Sequence, residues 1–476
     1  MNLKENNMNG LKLIPLLSLL ASTFASAKPN IIFIMADDLG YGDLGCFGQE
    51  LIKTPELDRM AREGMKFNRF YSGSTVCAPS RSVLMTGQHM GHTHVRGNAG
   101  GDMMRQSLRD EDITVAEKMK EAGYRTALIG KWGLGEMNQP GHPMKQGFDY
   151  FYGYLNQVHA HNFYPEFLWR NLKKHKLSNI VKPVSTSSRA GFIGGAATKR
   201  VEYSHDLFAR EALSWIKKNQ DNPFFLYLPL TIPHANNEGS RLFGDGAEVP
   251  EYGIYEKMDW PKQDKGQAAM ITRMDKDVGR ILNLLKTLKI ADNTLVLFTS
   301  DNGPHNEARH NPERFNPAGP LRGMKRTLTE GGIRVPTIAW WPSTITSNTV
   351  SEQPFYFGDL MATACKLAEI APPPNLDSIS FLPTLTGNES NQPEHKYLYW
   401  EFYERTFRQA VVMKEWKLIR SAMDDNTIEL YDLSKDIHED KNLATEHPAL
   451  AQRLISYMEE AHTPHPNWIT PRTSEK

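Results

Sequence analysis

A chain of 476 residues is long enough for one large α/β domain with a smaller companion and an ample core. Lys plus Arg and Asp plus Glu are each 55, so no net field draws nucleic acid or an anionic membrane. With only Cys46, Cys77 and Cys365, a disulfide framework is excluded, and Cys46 and Cys365 are expected as two separately buried thiols.

Residues 1–27 read as a secretory signal. Lys4 and Lys12 precede an apolar run from Leu13 to Leu20, and Ala25-Ser26-Ala27 is a small-x-small cleavage site. The run is too short, and interrupted by Pro15, to span a bilayer. Asn30 to Met35 is an apolar, β-rich run, as in a strand covered on both faces, and it gives way to the acidic pair Asp37-Asp38. Two adjacent carboxylates at a strand end repel unless a cation lies between them, although a solvated turn would also carry them. Thr54 to Gly64 has a cap, a first-turn proline and a terminal glycine, and reads as a scaffold helix. Met65 to Tyr71 is then a strand leading to Cys77-Ala78-Pro79-Ser80-Arg81. Proline in a first turn with arginine four residues after the cysteine aims helix amides and a guanidinium at whatever lies over Cys77, which describes an anion site. The plainer reading is a small buried cysteine beside an ordinary helix start. A thiol phosphatase is the third reading, but its arginine lies further from the cysteine.

Thr114 to Glu117 is a capping box whose helix ends at Gly123. A strand from Arg125 to Ile129 follows, with Gly130-Lys131-Trp132-Gly133 just past its end. The segment opened by Gln146 to Tyr150 has few regular signals and many rings, Tyr152, Tyr154, Phe163, Tyr164 and Trp169 among them, suited either to sugar stacking or to packing. Ser204 to Lys218 and a stretch from Met270 to Leu288 are amphipathic helices; Phe224 to Leu228 and Thr294 to Thr299 are buried strands followed by Pro233-His234 and Asp301-Asn302-Gly303. Strands ending near Asp37, Lys131, His234 and Asp301 each deliver polar chemistry at their carboxyl ends, where an α/β sheet places its ligand crevice. From about residue 391 the pattern changes to four short antiparallel strands and a closing helix over 447–461.

Cys77 to Arg81 resembles the C-x-P-S-R signature of the formylglycine-dependent, type I sulfatases of the alkaline phosphatase-like superfamily. The resemblance extends through separated motifs along nearly the whole mature chain. It implies an α/β/α sandwich over 28–390 with a smaller C-terminal α+β subdomain over 391–476. It implies a formylglycine made from Cys77 by a separate maturation enzyme, beside a divalent ion held by Asp37, Asp38, Asp301 and Asn302 together with the modified Cys77. These oxygen donors favour Ca²⁺, with Mg²⁺ possible, over Zn²⁺. The resemblance also assigns sulfate contacts to Arg81, Lys131 and Lys325 and the leaving-group role to His234, while Asp301 is a candidate proton acceptor. Many members carry a histidine where this chain has Gly133; His159 or His161 is expected to reach the vacated space, each being otherwise a surface or core histidine.

The function implied is a secreted or periplasmic sulfatase cleaving a sulfate ester on a carbohydrate, a galactose-type or amino sugar of a sulfated polysaccharide. Nucleic acid and membrane are not expected partners. Phosphodiester or phosphonate hydrolysis is the alternative within the superfamily, and a non-catalytic glycan-binding protein is the alternative if Cys77 stays a thiol.

Overall fold

The computed structural model describes residues 28–98, 106–185, 193–404 and 406–471, so the signal segment read over 1–27 lies outside the described residues. A ten-stranded sheet runs through the molecule in the order 349–351, 65–67, 337–340, 294–300, 30–36, 224–229, 125–131, 150–154, 167–170 and 173–176. Its middle five strands, from Thr294–Ser300 to Tyr150–Tyr154, are mutually parallel. Asn30–Ala36 is buried along its whole length, as its unbroken apolar run requires.

Alternation along these strands splits the core in two. Ile31, Phe33, Met35, Leu128, Phe225 and Tyr227 face the side covered by the Cys77–Thr86, Val115–Glu121 and Asp359–Leu367 helices. Ile32, Ile34, Ala127, Ile129, Leu226 and Phe298 face the side covered by Pro55–Glu63, Ser204–Asn219 and Lys262–Thr287. This is the α/β/α sandwich the sequence implies.

The C-terminal strands Leu398–Phe402, Arg408–Met413, Trp416–Ser421 and Ile428–Asp432 form an antiparallel sheet in chain order. Trp400, Val412 and Ile419 point into the first core, whereas Tyr399, Val411, Leu418 and Leu430 pack under the Pro448–Ala461 helix. A buried ion cluster pins this sheet to the short Glu330–Ile333 helix of the larger domain: Lys417 Nζ lies 2.8 Å from Glu330 Oε1 and 3.0 Å from Glu439 Oε1, all three side chains closed to solvent.

Three expectations are corrected. Gly130 and Lys131 belong to the Arg125–Lys131 strand rather than following it, because this strand pairs with Tyr150–Tyr154 up to Lys131↔Tyr154. The aromatic segment after Gln146 is not irregular; it supplies five strands, and Tyr152, Tyr154, Phe163 and Tyr164 are buried in packing rather than offered to a sugar. Cys46 is half-buried rather than buried, Cys365 is buried, and both are free thiols.

Candidate active site

Ala36 pairs with Ser300, so the next residue of each strand, Asp37 and Asp301, emerge side by side at the carboxyl edge of the sheet. Asp38 then turns with φ of 64°, a left-handed conformation that Asp tolerates better than most residues. Its amide donates to Asp301 Oδ1 at 3.1 Å, and Asn302 Nδ2 donates to Asp38 Oδ1 at 2.7 Å. Asn302 Oδ1, by contrast, is buried with no hydrogen-bond partner.

The Cys77–Thr86 helix, buried throughout, starts at Cys77 itself. Cys77 Sγ lies 3.4 Å from Asp37 Oδ1. Arg81, fully buried, donates to Asp301 Oδ2 at 2.7 Å and to the Lys131 carbonyl at 2.6 Å. Lys131 Nζ is 2.7 Å from Asp37 Oδ2, and Lys325 Nζ is 2.7 Å from Asp38 Oδ2. Ser80 Oγ donates to the Asp301 carbonyl at 2.6 Å, fixing the helix start to the strand end. His234 Nδ1 is 2.7 Å from the Ala235 carbonyl, which places the proton on Nδ1 and leaves Nε2 to accept from Lys325 Nζ at 3.3 Å.

Each carboxylate thus has its own cation. Burial raises the Asp38 carboxyl, but the electrostatic pull of its neighbours, the Lys325 charge foremost, outweighs it and holds it well below the usual range. Burial, reinforced by the Asp37 charge against the pull of Arg81, lifts Asp301 to about 6. Burial and the neighbouring Lys325 push His234 far below its ordinary value, so the imidazole is neutral. Burial and the charges of Asp301 and Asp37 keep the Cys77 thiol protonated, which makes an unmodified cysteine a poor nucleophile here.

The oxygen donors of this cluster fit a hard divalent cation. Ligating atoms of Asp37, Asp38, Cys77 and His234 lie within 4.8 Å of one another, and the orphaned Asn302 Oδ1 is a further buried oxygen without a partner. Asp301 has both oxygens engaged, by Arg81 and by the Asp38 amide, so the carboxylate oxygen within hydrogen-bond reach of Sγ is Asp37 Oδ1.

The two histidines of the 159–161 turn part company. His161 lines the Cys77 cleft, its ring parallel to that of His234. His159 does not: it packs on Tyr154 and Phe167 and opens on a separate groove, which corrects the expectation that it reaches the site. The space a side chain at Gly133 would take is filled by Gln157, whose Cγ would sit 3.0 Å from a Cβ there, and φ of 82° suits glycine. Gln157 Nε2 donates to Asn98 Oδ1 at 3.1 Å, and the same oxygen accepts the amide of Ala78 at 3.2 Å. Asn98, Gln157 and Glu307 escaped sequence reading because they lie in loops with no periodicity. Glu307 holds Lys325 at 3.4 Å and pairs with Arg326.

A mixed α/β sheet whose central parallel strands, at their carboxyl edge, set three carboxylates against three cations around a cysteine at a helix start defines a hydrolase built for oxyanion esters. Residues 29–370 match the family model described as Sulfatase, and 324–463 match the N-sulphoglucosamine sulphohydrolase C-terminal model. The chain belongs to the sulfatase family, whose members hydrolyse sulfate esters. It is 34% identical over 381 residues to an N-acetylgalactosamine-6-sulfatase of Canis lupus familiaris, covering 78% of this chain and 68% of that one. It is 29% identical over 506 residues to an N-acetylgalactosamine-6-O-sulfatase of Bacteroides thetaiotaomicron, covering 92% and 94%. Among solved structures, Ps i-CgsB in complex with k-i-k-neocarrahexaose superposes with a TM-score of 0.76 at 26% identity, covering 94% of this chain and 96% of that one. A phosphonate monoester hydrolase of Agrobacterium radiobacter, at 19% identity and a TM-score of 0.61, covering 91% and 95%, shares the fold.

Proposed function

We propose that this chain is an exported carbohydrate sulfatase acting on a galactose-type or amino sugar, with the 6-sulfate of N-acetylgalactosamine the first substrate to test. The observation that carries it is Cys77 at the buried start of its helix, beside Asp37 and ringed by Arg81, Lys131 and Lys325. The names of the two N-acetylgalactosamine-6-sulfatase relatives support the choice of sugar.

Asp37, Asp38, Asp301 and Asn302 would hold the divalent ion, Ca²⁺ or Mg²⁺. When present, that ion and a hydrated formylglycine at position 77 supply charge neutralisation and a nucleophilic hydroxyl. The chain's own residues do the rest. Three carboxylates and three cations leave the inner site neutral, so an added dication gives it an excess of positive charge to be met by an anionic ester. Arg81 and Lys131 hold sulfate oxygens. Lys325 carries a proton beside His234 Nε2, and this pair serves the departing sugar oxygen as general acid. His161 borders the cleft on the sugar side, held by Glu238 at 3.1 Å.

Peptide mass spectrometry over Thr75 to Arg81 of protein made with a maturation enzyme, together with assays on defined sulfated sugars and matched phosphate esters, tests the reading. An aldehyde mass at position 77 with cleavage of sulfated galactose-type or amino sugars is expected. An unmodified thiol in an active protein, or preference for phosphate, overturns it.

A further inference from the structure

We propose that Phe167, Trp169, Lys174 and Lys176 form a docking strip for an outlying, negatively charged unit of the sulfated glycan whose ester is cleaved at Cys77; this rests on the carbohydrate reading above. The strands Phe167–Arg170 and Lys173–Lys176 pair antiparallel, with Phe167 opposite Lys176 and Trp169 opposite Lys174, which puts these four side chains on one face. Both rings are half-buried, meeting edge to face at 5.6 Å, and Lys174 Nζ stands 4.1 Å from the Phe167 ring centre and 5.5 Å from that of Trp169. A sugar presents a C–H face to such rings and its sulfate or carboxylate to such an ammonium group.

Phe167 connects the strip to the turn that borders the catalytic cleft. The turn over 156–162 is shared: Val158 and His161 line the Cys77 cleft, while His159 and Asn162 line a groove completed by Phe167, Val181 and Pro183. The His159 ring lies 4.6 Å from that of Phe167. Lys173, Lys174, Lys176 and Lys182 are exposed, and among the described residues none has a carboxylate within ion-pair distance. Glu166, which also lines the groove, accepts the Val181 amide at 3.3 Å. Lysines on a terminal strand also discourage edge-to-edge pairing. That role needs neither half-uncovered rings beneath the ammonium nor a place behind the catalytic turn.

The test uses a chondroitin 6-sulfate octasaccharide, titrated calorimetrically into the Cys77→Ala protein at low and at physiological ionic strength. Removing both charges with K174A/K176A is expected to weaken binding about tenfold and to flatten its salt dependence. The same pair of substitutions in the mature enzyme should leave turnover of N-acetylgalactosamine 6-sulfate within about twofold of the unaltered protein, and Lys396→Ala, in the bend before the C-terminal sheet where Lys396 pairs with Glu460, should change neither. Octasaccharide binding unaffected by K174A/K176A, equal weakening by Lys396→Ala, or no octasaccharide binding at either salt overturns the proposal. If the mature enzyme turns over no sulfated monosaccharide, the substrate reading fails, and the binding measurement still decides this one.

Discussion

The imidazole of His161 lies parallel to that of His234, ring centres 4.9 Å apart and planes 16° from each other. Glu238 grips His161 Nδ1 at 3.1 Å, and Lys325 holds the far edge of His234. Each of the two stacked rings is thus fixed by a charged neighbour at the edge of the Cys77 cleft.

His234→Ala should lower kcat/KM on a sulfated sugar by about 10²–10⁴-fold, the usual span for a disrupted general acid, because it removes the imidazole that positions the Lys325 proton. An activated aryl sulfate, whose leaving group needs no proton, should lose far less. Equal losses on both substrates refute the acid role. His161→Ala should instead raise KM for the sugar sulfate about tenfold and spare the aryl ester.

Chelation of the mature enzyme should abolish turnover and lower the thermal midpoint, because Asp37, Asp38 and the unpartnered Asn302 oxygen lose a shared counter-ion. Ca²⁺ or Mg²⁺ added back should restore both, and the ion giving the larger thermal shift identifies the native one. Activity that survives exhaustive chelation argues against the metal.

Lys417→Met should destabilise the protein by about 3–5 kcal/mol, since it strands Glu439 in the core without its cation and leaves Glu330 with Arg334 alone. Denaturant unfolding checks this. A loss under about 1 kcal/mol would mean that the cluster does not tie the C-terminal sheet to the Glu330–Ile333 helix.

Stability should also fall on acidification. Burial pushes His89 and His142 down from 6.5 to about 4. Their neutral forms are favoured by the fold, so their contribution is complete above pH 6.5 and is lost as pH falls through 4. Between those values the unfolded chain binds about two more protons at these sites, a slope of about 3 kcal/mol per pH unit at most. Denaturant midpoints unchanged between pH 7 and pH 5 would contradict it.

The central strands and the Cys77, Asp37-Asp38 and Asp301-Asn302 motifs were legible because each is a contiguous run with its own periodicity or spacing. Gln157 was not, since its place depends on the empty volume beside Gly133, twenty-four positions earlier in the chain. The same holds for Glu330 and Lys417, 87 positions apart, which meet only when the C-terminal sheet packs on the Glu330–Ile333 helix. The strands after Gln146 were hidden by Gly153 and short, ring-rich segments in which no alternation stands out.

Because Asp37 and Asp301 step off neighbouring strands in register, their separation is inherited from main-chain spacing and owes nothing to the loops around them. The apparatus that breaks the sulfur–oxygen bond can therefore stay constant while the surrounding turns are rewritten. Retargeting this scaffold to another sugar should be a matter of loop grafting, with the floor left untouched.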